Sequence, residues 1–291
     1  MRRVASLLLC LGLAAFTSTA SAQDNPLTWS GCSLTKQAFM NTVAKAYEAK
    51  RGYRILMSDE GATSGIRQTA SGEYDIGGSS RRTVNNPIER RVRLHPVAWD
   101  AIVAVVHPDN PVDTLSYDNL KDVMTGRITN WKALGGADHP IAVFAREGKQ
   151  SGIGQTAREL LFGDADIDFH STKVFSTSEL LEHAIEQSKY GIALDGLSSA
   201  KRRNLKILSL DGVSPAVETI VKGSYKLFHP LYLVTSRQPL PQVKRFVVWV
   251  QSPAGQSVIE SQGTVSLRQG SRLWKAYRSR MAQMTVNARM H

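Results

Sequence analysis

Four short stretches of this 291-residue chain place hydroxyls, glycines or a cation where an apolar run gives way to a helical pattern. The fullest is FAREGKQSGIGQT, residues 144–156. Arg146 leaves the apolar run, Ser151 and Gly152 follow, and the helical pattern starts there. The others run from Gly31 to Ser33, Gly61 to Ser64 and Gly77 to Ser80. The first turn of a helix carries unpaired N–H groups and the positive end of the helix dipole, so each stretch can face an anion. One such turn says little, since Ser and Thr are ordinary N-caps. Four in one chain, one beside an arginine, point to an oxyanion pocket. A buried dianion needs a donor for every oxygen. Hydroxyls and N–H groups supply neutral donors, and one arginine adds charge and a two-pronged fork.

The elements that must position these turns alternate. LTWSG (27–31), YRILMSDE (53–60) and EYDIGGSS (73–80) read as strands. Helical patterns follow the first two, over 33–52 with Ser33 as N-cap and Gly52 as stop, and briefly after GATSG (61–65). AIVAVVHP (101–108) is nearly all apolar and reads as a strand buried on both faces. IAVFA (141–145), IALDG (192–196) and LFHPLYLVT (227–235) are further strands, and 117–126, 152–163, 176–191 and 240–263 are helical. This is α/β architecture, in which ligands sit at the carboxyl ends of strands.

The first 22 residues have the form of a cleaved secretory signal: Arg2 and Arg3, an apolar core from Leu7 to Phe16, and Ala20-Ser21-Ala22. The chain from Gln23 onward then has 34 Lys and Arg against 25 Asp and Glu, a net +9, which favours anionic partners. Much of that excess lies in peripheral runs, among them 81–93, 201–204 and 272–291, read as solvated charged faces. Only Cys32 remains, so no intrachain disulfide can form. No His/Cys cluster has metal spacing, no cofactor motif occurs, and no nucleophile elbow, P-loop or nucleic-acid motif is present.

Several segments resemble phosphate-binding periplasmic proteins, the substrate-binding subunits of phosphate ABC importers, over roughly residues 27–268. They are GATSGIRQTASGEYDIGGSSR (61–81), AWDAIVAVVHPDNPVDTLSYDNLKDVMTGRITNWKALGG (98–136), KLFHPLYLVT (226–235) and VKRFVVWVQSPAGQSVIESQGTVSL (243–267). The resemblance implies a type II periplasmic binding protein fold: two lobes, each a sheet flanked by helices, joined by two crossover strands. Lobe 1 would hold 23–103 and 229–291, lobe 2 104–228. It implies a non-enzymatic periplasmic monomer that carries inorganic phosphate or a related oxyanion to a membrane permease. Alternatives are an oxyanion sensor or scavenger on the same fold, or a phosphate-ester hydrolase.

Ligand positions follow by resemblance: Ser33 and the N–H of Leu34, Thr63 and Ser64, Ser80, Arg146, Ser151 and Gly152. Three departures stand out. Serine occupies residue 80, where some members carry a carboxylate, and Asp100 is the candidate replacement, with a hinge or cap role as the other reading. Four residues separate Arg146 from Ser151, where the family usually has three. Ile153 replaces a usual threonine, leaving Lys149, Gln150 or Thr156 to compensate.

Overall fold

The computed structural model describes residues 26–290, with side chains as far as residue 284. The expected signal segment lies outside the described residues. The strands in chain order are β1 (Leu27–Gly31), β2 (Ile55–Asp59), β3 (Ile76–Ser79), β4 (Val92–Val106), β5 (Thr114–Leu115) and β6 (Ala142–Arg146). They continue with β7 (Lys173–Phe175), β8 (Gly191–Gly196), β9 (Lys206–Ile207), β10 (Ser209–Leu210), β11 (Phe228–Ser236) and β12 (Val265–Ser266). The main sheet runs β2-β1-β3-β11-β4-β8-β6-β7. β1, β2 and β3 are mutually parallel at one end, and β6, β7 and β8 at the other. The result is a two-lobed α/β fold.

β4 joins the two halves. Its residues up to Ala101 pair antiparallel with β11, and Ile102–Val106 pair with β8. Val97 through Val106 are all buried; for Ala101–Val106 an unbroken apolar run requires it, and Asp100 is the one polar side chain in the span. The second crossover lies beside it: Ile102 N donates to Leu227 O at 2.9 Å, and the Tyr225 hydroxyl to Ile102 O at 2.9 Å. The first half of β4 is not evident from its sequence, because Arg93, His95 and Pro96 interrupt the apolar pattern. Pairing with β11 overrides that local signal.

The first helix is continuous but not uniform. It begins as Ser33–Thr35, widens to a π turn at Lys36–Met40 and continues as Asn41–Arg51. Its N-cap is Cys32, which makes no side-chain cap bond, so the expected Ser33 cap is instead the first helical residue. Ala38, Phe39, Met40, Val43 and Tyr47 are buried, each large side chain worth roughly 1.5–3 kcal/mol of burial. Gly52, at φ 76°, ends the helix in the left-handed conformation.

The basic C-terminal run is not simply a solvated face. Leu273–Met290 is a helix whose Leu273, Tyr277 and Met281 are buried at i, i+4 and i+8. Trp274 and Tyr277 meet the Trp99 ring of β4 at 4.4 and 5.9 Å. Arg280 donates to Lys226 O at 2.6 Å and lies 5.3 Å from the Phe228 ring. The helix therefore clasps both crossover strands.

Asp100 takes the structural role. It is buried on β4, where the strand passes between lobes, and accepts from Ser198 N at 3.2 Å and Ser198 Oγ at 3.0 Å. It thereby caps the short helix Leu197–Ala200. Burial pushes its carboxyl up to about 7, hydrogen bonds from Ala101 and Ser198 offsetting only part of the cost. A folded-state value above the unfolded one favours the protonated form. The associated stability is complete below the unfolded value of about 3.9 and is lost as pH rises through about 7. Denaturant melts of wild type and Asp100→Asn should show a wild-type advantage that is largest at pH 5. It should shrink by on the order of 2–4 kcal/mol by pH 8. A difference that does not vary with pH would mean that Asp100 titrates normally.

Candidate functional site

The carboxyl ends of the parallel strands meet at one cleft. β1 delivers Cys32 and Ser33, and β2 delivers Asp59 and, past Gly61, the helix Ala62–Ser71. β3 leads directly to Ser80, and irregular chain follows where the sequence suggested a helix start. From the other lobe, β6 ends on Arg146, and the loop after it opens the helix Gly152–Phe162. The helix Ser178–Glu186 starts beside them, capped by Thr177. Four helix N-termini thus face one cavity of about 340 Å³. Gly61, at φ 92°, turns the chain between β2 and its helix in a conformation that favours glycine.

Of the residues expected from sequence, Ser33, Leu34, Thr63, Ser80, Arg146, Ser151 and Gly152 line this cavity. Ser64 and Asp100 do not. Ser64 lies further into the helix Ala62–Ser71, and Asp100 is committed to Ser198. Leu34 buries its side chain against Gly196, where an added Cβ would come within 2.4 Å of Leu34 Cδ1. Its N–H, in the first helical turn, has no partner inside the helix.

The hydroxyls are less free than their sequence positions suggest. Thr63 Oγ1 donates across the cleft to Gln150 O at 2.7 Å and accepts from Arg81 Nη2 at 2.9 Å. Arg81 is itself fixed by two 2.9 Å bonds to buried Glu89. Ser151 Oγ caps its helix by accepting from Gly154 N at 3.2 Å, and donates to Gly148 O at 3.1 Å. Both residues shape the cavity wall with their hydroxyl protons already placed.

The loop with one extra residue joins the lobes. Gln150 receives Thr63 through its carbonyl and Arg67 through its side chain at 3.1 Å. Thr156 Oγ1 donates to Ser80 O at 2.8 Å, and Arg82 pairs with Glu159 at 3.3 Å. Gly152 sits so close to Ser80 that a Cβ would lie 2.3 Å from its Oγ. Lys149 points elsewhere, to Asp168 at 2.7 Å and the Asp166 carbonyl. It therefore does not replace the lost threonine hydroxyl. Ile153 adds an apolar patch to the wall.

Arg146 is the cation that lines this cavity. Burial lowers its pKa against the pull of neighbouring acids, and its Nη1 is buried with no hydrogen-bond partner. Asp195 is a poor counter-charge for it: burial, then the charge of Glu182 and a hydrogen bond with it, raise the Asp195 carboxyl well above the usual range.

Sequence reasoning missed Asp59. It keeps accessible surface, facing the cleft it lines, yet the enclosing atoms raise its carboxyl despite Lys36, a Ser33 hydrogen bond and Arg146. Its signal was its place as the last residue of a strand, the same rule that selected Arg146.

Comparison with known proteins places this geometry. A PBP superfamily domain model matches residues 17–254. The chain is 24% identical over 280 residues to phosphate-binding protein PstS of Borreliella burgdorferi, covering 92% of this chain and 100% of that one. It is 27% identical over 242 residues to PstS of Bacillus subtilis, covering 82% and 80%. A phosphate ABC transporter substrate-binding protein from Clostridium perfringens, solved with bound phosphate, superposes with a TM-score of 0.77 at 26% identity. That match covers 83% of this chain and 99% of the other. With the family model spanning most of the sequence and the strand ends converging on one cleft, the chain belongs to the PBP superfamily.

Proposed function

We propose that this protein captures inorganic phosphate between its lobes and presents it to the permease of an ABC importer. The carrying observation is Arg146: a half-buried guanidinium whose Nη1 is buried and unpartnered, in a cavity that four helix N-termini face. A tetrahedral anion there satisfies the guanidinium and the first-turn N–H groups of Leu34 and Gly152 together. The relatives named for phosphate binding support the same reading. No bond is broken. The lobe boundaries that fit are 23–103 with 229–291, and 104–228, close to where β4 changes partner. Capture takes place outside the cytoplasm, in keeping with the leader-like first 22 residues.

Closure follows from the contacts across the cleft. Gln150, Thr63, Arg67, Ser80 and Thr156 belong to a closed state that the anion selects by bridging both donor sets. Asp59 supplies selectivity in place of Asp100. Its carboxylate accepts the proton of HPO₄²⁻, whereas sulfate has none to offer and meets two facing lone pairs.

Titration calorimetry tests both parts. Wild type should bind phosphate and discriminate against sulfate by about 10⁴-fold, as hydrogen-bond mismatches allow. Arg146→Ala should abolish measurable phosphate binding; near-native affinity would remove Arg146 from the site. Asp59→Asn should lower the phosphate-to-sulfate preference at least about 100-fold. An unchanged preference would exclude Asp59 as the discriminating group.

A further inference from the structure

A second concavity, of about 680 Å³, lies between the C-terminal end of Asn41–Arg51 and the helix Pro241–Gln251. Its apolar and aromatic lining is Tyr47, Tyr53, Val248 and Trp249, and its cations are Lys50, Arg51, Lys244 and Arg245. No acidic residue lines it. None of the four cations makes an ion pair among the described residues, and Arg245 is held only by the neutral Tyr53 hydroxyl at 3.1 Å.

Helix chemistry explains half of this charge. Lys50 and Arg51 close a helix, where the dipole favours cations. Lys244 and Arg245 sit near the N-terminal, positive end of theirs, where the dipole opposes them. The helix dipole does not account for their placement. On the same helix, Val248 is 68% exposed and Leu240 is 51% exposed. Leu240, Lys244 and Val248 fall at i, i+4 and i+8 on one outward stripe.

We propose that this face docks on an anionic phospholipid bilayer. Headgroup phosphates lie between the two banks of cations, Val248 and Leu240 enter the interfacial layer, and half-buried Tyr53 sits at headgroup depth. A planar partner accounts for the groove and for the apolar stripe that continues past it to Leu240. An acidic peptide seated in the groove accounts only for the first. The face is also remote from the oxyanion cleft. The first helix starts at the cleft and ends here, and 19 residues at 1.5 Å each separate the two by roughly 28 Å. Docking therefore leaves the cleft open to solvent.

Co-sedimentation of the mature chain with vesicles tests the proposal. Binding is expected to phosphatidylglycerol/phosphatidylcholine (1:1) vesicles, not to phosphatidylcholine alone, and to fall with added salt. Lys244→Glu with Arg245→Glu should weaken it at least about tenfold, with phosphate affinity unchanged as a check on folding. Lys201→Glu with Lys222→Glu alters net charge equally, at exposed positions elsewhere, and should have a much smaller effect. Absence of binding to the anionic vesicles would overturn the proposal. So would an equal loss in the two double variants, which would reduce the effect to net charge alone.

Discussion

A guanidinium nitrogen withdrawn from water must be met by an acceptor, and Arg146 Nη1 meets none among the described residues. The rest of the site is arranged around that deficit. Asp195, near enough to act on it, has its carboxyl raised well above the usual range by burial and by Glu182. The first-turn N–H groups of the facing helices point the same way, donors without acceptors. An anion completes these groups at once, and it can do so only when both lobes contribute. Binding and closure are thereby one event.

Closure needs a hinge that bends without unravelling, and the crossover strands provide it. β4 never leaves the sheet. It exchanges β11 for β8 within one residue step, with Asp100 beside that step holding Ser198 of the other lobe. The C-terminal helix packs Trp274 and Tyr277 on Trp99 across the same region, so bending works against an aromatic contact as well as a backbone ladder. The loop after Arg146 supplies the opposite restraint. Through it Gln150 meets Thr63 and Arg67 across the cleft.

Much of this could be read from the sequence, for physical reasons. Strand ends that run into helix starts give a local signal, so three of the four helix starts at the cleft and Arg146 were visible in residue types and spacing; Gly77–Ser80 opens no helix, and the start at Ser178 was not among the turns singled out. What escaped depends on distant partners. Thr63 was read as a free hydroxyl because nothing nearby in sequence shows that Gln150 takes its proton. The first half of β4 looks like loop until β11 pairs with it. The C-terminal helix hides its buried stripe among arginines and lysines that reach solvent from the same turns. Asp59 was legible by the rule applied to Arg146, but the glycine turn just after it drew the reading instead.

The most direct measurement is a crystal structure of the chain from Gln23 onward grown with phosphate. The account requires a tetrahedral anion in the cleft, within hydrogen-bond distance of Arg146 Nη1 and of the N–H groups of Leu34 and Gly152. Asp59 should stand against one of its oxygens. An anion bound elsewhere, or an empty cleft with Arg146 turned to a carboxylate of its own chain, would contradict it.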